Sequence, residues 1–205
     1  MAEFVYHYAN FTQEQLAPIH AEINEIHNDF SSANNYNGKL AGHLSHQYEL
    51  IKCKNHVENV LLQHIYDFEN KTGYSKKLQL WRGEAKFYLD NLWVNFQSKT
   101  EFNPPHTHSG IFSFVSWLKV PFNIEDEIAL YPKPDTNNIQ QTAHFNFHVL
   151  DPYGEMVYER LPVDRKWENR IMIFPAKAVH SVNPFYTSDE YRISISGNFF
   201  PLLRV

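Results

Sequence analysis

Asn103-Pro104-Pro105-His106-Thr107-His108-Ser109-Gly110 is the stretch from which both fold and chemistry are read. It stands between two strand-like runs, Leu92 to Gln97 before it and Ile111 to Val120 after it. In the first run Leu92, Val94 and Phe96 share one face and Trp93, Asn95 and Gln97 share the other, because side chains of an extended segment alternate. By the same rule His106 and His108 point to one side, so their imidazoles can converge on a single metal ion. Pro104 and Pro105 stiffen the approach by fixing φ and restricting the residue ahead of each. In a chain with 12 histidines such a pair arises readily by chance. It gains meaning only if something downstream answers it.

The C-terminal part does. Arg170-Ile171-Met172-Ile173-Phe174-Pro175 reads as an apolar strand, and His180 follows it. Twelve residues later comes Arg192-Ile193-Ser194 within Tyr191 to Phe200. That strand carries Tyr191, Ile193, Ile195 and Phe199 on one face and Arg192, Ser194, Ser196 and Asn198 on the other. Apolar-in, polar-out alternation is the common meaning of such a pattern. The alternative is a carboxylate grip, in which a planar guanidinium gives two parallel hydrogen bonds and a hydroxyl two residues on adds a third.

Taken as an ordered set, the histidine pair, Phe174-Pro175, His180 and Arg192-x-Ser194 resemble the 2-oxoglutarate/Fe(II)-dependent oxygenases, and within them a group with a PHxH … FP … H … RIS pattern. The resemblance spans roughly residues 80 to 200. It implies a mostly β fold, a double-stranded β-helix (a jelly-roll or cupin-like barrel). It implies Fe(II) held by His106, His108 and His180, with 2-oxoglutarate as co-substrate and O2 as oxidant. Arg192 and Ser194 take the distal carboxylate of 2-oxoglutarate, and Asn95 stands where several relatives place a co-substrate-binding Asn. A cross-strand hydrogen bond is an equal reading for Asn95. The implied activity is oxygenation, foremost hydroxylation of a protein side chain or a small metabolite, with 2-oxoglutarate converted to succinate and CO2.

One departure stands out. The superfamily's usual face for Fe(II) is two histidines and one carboxylate, and His108 occupies the acid's position. A three-His, cupin-like dioxygenase that needs no 2-oxoglutarate is therefore a second reading. It is opposed by Arg192-Ile193-Ser194 and by Ile111 to Phe114, which lack the Glu that such proteins carry after the pair. A third reading is a non-catalytic jelly-roll binding protein. Within the first, His108 could instead touch co-substrate while an acid such as Glu101 or Asp90 completes the metal face.

The rest of the chain supports one domain over 1–205, a helical N-terminal part over 1–76 and a jelly-roll core over 77–205. Residues 1–10 read as a short strand or arm. The first helix is expected from Pro18 to Phe30, with Ile19, Ile23, Ile26 and Phe30 as its stripe, because Pro18 opposes a helix running on from a Thr12–Gln15 capping box. Residues 31–48 form a polar loop. The second helix is expected from His56 to Thr72, capped by Asn55 and ended by Gly73, with Val57, Val60, Leu61, Ile65 and Phe68 buried. Both helices pack outside the sheet. Strands are expected at Gln79–Trp81, Ala85–Leu89, Leu92–Gln97, Ile111–Val120, Ala143–Leu150, Met156–Leu161, Arg170–Phe174 and Tyr191–Phe200, with an irregular insertion over 122–142. His144 and His148 share a face and read as buried or surface imidazoles rather than ligands.

Composition narrows the class. Aromatic residues make up 16%, with 16 Phe and 12 Tyr, which suits β-rich architecture. Net charge is −5 without a basic block, so no nucleic-acid partner is indicated. The single cysteine, Cys53, excludes an internal disulfide and fits a reducing compartment. No run reaches the ~20 apolar residues of a membrane span, and the N-terminus lacks signal-peptide character. The expectation is a cytoplasmic monomer or homodimer that acts on a small molecule or a peptide or protein substrate.

Overall fold

The computed structural model describes residues 6–81, 83, 85–130 and 142–202. In chain order the elements are β1 (His7–Asn10), α1 (Gln13–Asn28), β2 (His46–Glu49), α2 (Lys54–Thr72), α3 (Tyr74–Lys77), β3 (Lys86–Gln97), β4 (Asn103–His106), β5 (Phe112–Lys119), α4 (Ile124–Ala129), β6 (Phe145–Leu150), β7 (Met156–Leu161), β8 (Arg170–Pro175), β9 (His180–Val182) and β10 (Arg192–Leu202). They make a six-stranded sheet in the order β1-β8-β5-β10-β3-β2 and a four-stranded sheet in the order β4-β9-β6-β7. Every strand pairing is antiparallel. The architecture is a jelly roll of two opposed sheets that do not close into a continuous barrel.

The larger sheet is buried on both faces, and its two faces differ. One carries Val94, Phe96, Phe112, Ile171, Ile173, Ile195 and Phe199, packed with Leu16, Ile19 and Ile23 of α1 and Val57, Leu61, Ile65 and Phe68 of α2. The other looks into the molecule, where Val115, Trp117, Met172 and Phe174 meet Phe145, Phe147 and Leu161 of the smaller sheet. Phe174 touches Phe147 and Phe145 at ring-centroid distances of 5.2 and 6.0 Å. The helices thus cover the outside, as the apolar stripes require.

Helix starts differ from expectation for reasons of tertiary structure. α1 begins at Gln13: Thr12 and Gln15 form a reciprocal capping box, at 3.2 and 2.9 Å, an arrangement with a typical value of about 1 kcal/mol. Pro18 is accommodated inside the helix on an exposed position, so the Glu14 carbonyl left without its i+4 donor can be hydrated. α2 begins at Lys54 rather than His56, and its N-cap Cys53 provides no side-chain bond. The cap comes from α1 instead. Buried Glu22 accepts from the backbone N–H groups of Ile51, Lys52 and Cys53 at 2.7, 3.0 and 2.8 Å. Burial alone would raise the Glu22 pKa, yet these donors hold it below the usual carboxylate range, consistent with an anion at a helix N-terminus. Gly73, in left-handed conformation, ends α2 as expected.

Other boundaries shift. Gln79–Trp81 is not a strand, and Gln79 has φ +53°. The expected pair Ala85–Leu89 and Leu92–Gln97 is the single long strand β3. The loop over 31–48 contains a 3-10 turn at Asn37–Lys39 and the edge strand β2, and the insertion over 122–142 contains α4, its 131–141 part lying outside the described residues.

Candidate active site

The two histidine-bearing stretches are neighbours across the smaller sheet, where His106 of β4 pairs in register with His180 of β9. β4 ends at His106, so His108 reaches the site from the following turn rather than by strand alternation. That turn is pinned by the His108 backbone N–H donating to the Ala176 carbonyl at 2.8 Å, and by Lys177 Nζ donating to the His108 carbonyl at 3.1 Å. Gly110, at φ +90°, then brings the chain back toward β5; a Cβ there would stand 2.8 Å from the Phe199 carbonyl oxygen. The turn after Phe174-Pro175 and the turn after the histidine pair therefore hold each other.

The three ligand atoms of His106, His108 and His180 lie within 4.8 Å of one another. His106 Nδ1 and His180 Nδ1 donate to the carbonyls of Pro104 and Ala178 at 2.7 and 2.9 Å. A carbonyl only accepts, so each Nδ1 carries the proton and each Nε2 keeps its lone pair for a metal. Burial lowers all three pKa values; mutual repulsion deepens the effect at His180 and, with Lys177, pushes His108 down to about 3. The cluster is neutral at ordinary pH, which is the ligand form. Among the described residues no carboxylate joins it. Glu101 is turned away, accepting from Ser45 N–H, Ser45 Oγ and Ser98 N–H at 2.9, 2.6 and 2.8 Å, and Asp90 is exposed beside Asn91. Trp93 and Phe145 screen the imidazoles, with ring centroids 5.6 Å from His108 and 5.3 Å from His180.

A cavity of about 190 Å³ opens between the sheets beside these histidines. Arg192, Ser194, Ser196, Asn95 and Gln97 line it, together with the Lys39–Gly42 segment, and no Asp or Glu does so among the described residues. Arg192 is only 2% exposed. Its Nε and Nη2 both reach Gln97 Oε1, at 3.1 and 2.7 Å; Nη2 also reaches the Asn183 carbonyl and Nη1 the Ala143 carbonyl, both at 3.1 Å. Phe122 and Phe185 stand 5.7 and 5.5 Å from the guanidinium carbon. Every one of these partners is neutral. Burial lowers the Arg192 pKa to about 9, with buried Glu127 acting against the shift. Glu127 itself is occupied by Tyr186 N–H and by the N–H and hydroxyl of Thr187.

Asn95 and Ser194 are register partners on β3 and β10, and Asn95 Nδ2 donates to Ser194 Oγ at 3.2 Å. His144 and His148 lie outside the cavity: His144 Nδ1 is bonded to the Thr142 carbonyl at 2.7 Å, and His148 Nε2 to Ser181 Oγ at 2.8 Å. Sequence reasoning missed Gln97, Gln47 and Asn103. Gln97 had a signal, the shared strand face with Asn95, but nothing local marks Gln47 or Asn103.

A family model described as "Putative 2OG-Fe(II) oxygenase" matches residues 91–198. Among solved structures, a Pseudomonas putida prolyl-4-hydroxylase is 13% identical with a TM-score of 0.56, covering 98% of this chain and 94% of the other. AviO1 from Streptomyces viridochromogenes is 9% identical with a TM-score of 0.59, covering 98% and 91%. A viral collagen prolyl hydroxylase from Paramecium Bursaria Chlorella virus-1, in complex with 2OG, is 11% identical with a TM-score of 0.50, covering 97% and 96%. At these identities the structures show the shared fold. No curated protein sequence matches the chain.

Proposed function

The chain belongs to the 2OG-Fe(II) oxygenase family, whose cofactors are Fe(II), 2-oxoglutarate and O2, and from that premise we propose that it is a hydroxylase of a small molecule or of a peptide or protein side chain. When bound, the iron and 2-oxoglutarate supply the oxidising chemistry, in which conversion of 2-oxoglutarate to succinate and CO2 is coupled to oxygenation. The protein's part is to bind, orient and screen.

The residues present fit the group. His106, His108 and His180 would hold the iron, two of them through Nε2 atoms whose orientation is set by the Pro104 and Ala178 carbonyls. Arg192 and Ser194 would hold the distal carboxylate of 2-oxoglutarate, Arg192 by its charge and the one Nη1 N–H not bonded to Gln97, Ala143 or Asn183 rather than by the two-bond fork expected from the sequence, and Asn95 would orient the Ser194 hydroxyl. The observation that carries this reading is Arg192 itself. A buried guanidinium bonded only to neutral oxygens, with its pKa lowered to about 9 by burial against the opposing pull of Glu127, has no carboxylate in direct contact, as buried cations ordinarily do. A ligand carboxylate in the adjoining cavity would supply it. Trp93 and Phe145 would keep water from the imidazoles. Asn103 Oδ1 is a buried acceptor without a partner on a cavity-lining side chain, a fit for an N–H or O–H donor rather than for another anion.

The prolyl hydroxylases among the structural neighbours support hydroxylation as the activity. The test is anaerobic titration of the Fe(II)-loaded protein with 2-oxoglutarate. A weak visible charge-transfer band, followed by succinate formation in air, is expected. Absence of both the band and succinate would overturn the reading.

A further inference from the structure

Gln47 of β2, Asn95 of β3 and Ser194 of β10 are register partners on three adjacent strands. All three line the cavity. Gln47 Nε2 donates to Asn95 Oδ1 at 2.8 Å, and Asn95 Nδ2 donates to Ser194 Oγ at 3.2 Å. At the outer end of this row Gln47 Oε1 is buried and unpartnered, on a side chain only 2% exposed.

A row of carboxamides has a direction, because each has one giving end and one receiving end. A serine hydroxyl has one proton. If that proton is to reach a ligand carboxylate, Ser194 Oγ must receive from Asn95. Asn95 must then turn its oxygen to Gln47, and Gln47 must answer with nitrogen, which leaves Gln47 Oε1 bare. This is the direction found. In the reverse direction Ser194 would give its proton to Asn95 Oδ1 and have none for the ligand. The bare oxygen is the cost of the observed polarity, since a buried acceptor without a partner is unfavourable.

We propose that Gln47 is a positioning residue for co-substrate binding: acting through Asn95, it fixes the direction of this hydrogen-bond chain so that the Ser194 hydroxyl remains a donor to the carboxylate of 2-oxoglutarate. The proposal rests on the assignment of Arg192 and Ser194 to that carboxylate. Gln47→Glu changes little in shape but offers only acceptors. Asn95 Nδ2 then turns toward Glu at position 47, Asn95 Oδ1 faces Ser194, and the Ser194 proton is drawn away from the ligand. Added negative charge in the cavity also repels 2-oxoglutarate directly, so the single variant does not isolate the chain. A double-mutant cycle with Ser194→Ala does, because direct repulsion survives loss of the hydroxyl and the effect through the chain does not.

The measurement is calorimetric binding of 2-oxoglutarate to the anaerobic Fe(II)-loaded protein at pH 8, for wild type, Gln47→Glu, Ser194→Ala and the double variant. Iron content and circular dichroism serve as checks on folding. One hydrogen bond to a charged group has a typical value of roughly tenfold or more in affinity. Gln47→Glu is therefore expected to weaken binding about tenfold more in the wild-type background than in Ser194→Ala. Gln47→Met, neutral and lacking the donor, is expected to weaken binding several-fold with the same dependence on Ser194, and it decides the matter if Gln47→Glu does not fold. Equal effects in both backgrounds, or none, would overturn the chain while leaving the carboxylate assignment intact. A Ser194→Ala variant that binds 2-oxoglutarate as tightly as wild type would remove that assignment and this proposal together.

Discussion

On one wall of the cavity Arg192 carries a buried positive charge, exposed Lys39 being the other cation of the lining; on the other wall His106, His108 and His180 carry none. The charged wall is built by β2, β3 and β10 of the larger sheet, the neutral wall by β4, β9 and the turn after β4. Both walls use backbone carbonyls, but to different ends. At the imidazoles, carbonyls of Pro104 and Ala178 fix the tautomer and free a lone pair. At the guanidinium, carbonyls of Ala143 and Asn183 satisfy donors without cancelling charge. The difference is that the site keeps two electrostatic surfaces on separate sheets: a wall of neutral imidazoles with free lone pairs, suited to a cation, and a wall with a buried guanidinium that no carboxylate touches, suited on the proposed reading to an anion.

The largest effect is expected on the neutral wall. His106→Ala and His180→Ala each remove a ligand atom from a set of three, so stoichiometric Fe(II) binding should be lost while the fold persists. Elemental analysis of the purified variants reads this directly. Full iron content in both would show that the cluster is not the metal site, and the contrast between the walls would disappear.

On the charged wall, Arg192→Ala should remove most 2-oxoglutarate affinity without changing iron content. Arg192→Lys keeps a charge but loses the guanidinium that Gln97, Ala143 and Asn183 hold in place, and with it the remaining Nη1 N–H, so it should still weaken binding by ~1–3 kcal/mol. Calorimetry with 2-oxoglutarate measures both. Unchanged affinity in the two variants would mean that the buried cation serves the fold alone.

These two walls were unequally legible. His106, His108 and His180 could be found from spacing, because a strand and the turns beside it carry them in order. Arg192 and Ser194 were visible as one strand face, and the resemblance gave that face a use. What holds Arg192 could not be read. Gln97, Ala143, Asn183, Phe122 and Phe185 come from separate stretches, and two of them contribute through backbone atoms that have no sequence signature. The fold shows the same division. Periodicity located α1, α2 and the long strands, but β4 and β9, only 4 and 3 residues long, were missed because Pro104, Pro105 and a nearby turn disguise them. The start of α2 was misplaced because its cap, Glu22, lies on another helix.

A pH titration of the metal-free protein probes the neutral wall as a whole. Burial, the leading cause, lowers all three imidazole pKa values. The unfolded chain therefore takes up protons below about pH 6.5 that the folded chain refuses, and stability must fall as pH falls through that window. For His108, whose native value is about 3, the loss at pH 5 relative to neutral pH is about 2 kcal/mol. Urea unfolding at pH 7.5, 6 and 5 checks the sign. Stability constant over this range would exclude the imidazoles as its source, and the same fall in a His108→Asn variant would exclude His108.

The smallest change is expected where the sequence departs from the common pattern. His108→Asp would recreate the two-histidine, one-carboxylate face that suits Fe(II). The carboxylate is shorter than an imidazole, but its negative charge compensates in attraction for the ion, and the turn that presents it is held through backbone atoms by the Ala176 carbonyl and Lys177. Lys177 also lies close enough to affect residue 108 electrostatically, so it will compete for part of that charge. Iron content should therefore stay near the wild-type level, whereas His108→Ala, in which water must replace a fixed ligand, should release iron to a competing chelator well before either. Succinate formation from 2-oxoglutarate, measured on the same three proteins, shows whether the retained iron is held in a working geometry. Equal iron retention in wild type, His108→Asp and His108→Ala would exclude His108 as a ligand. The assignment of His106 and His180 to the metal and the proposed carboxylate contact at Arg192 would stand unchanged.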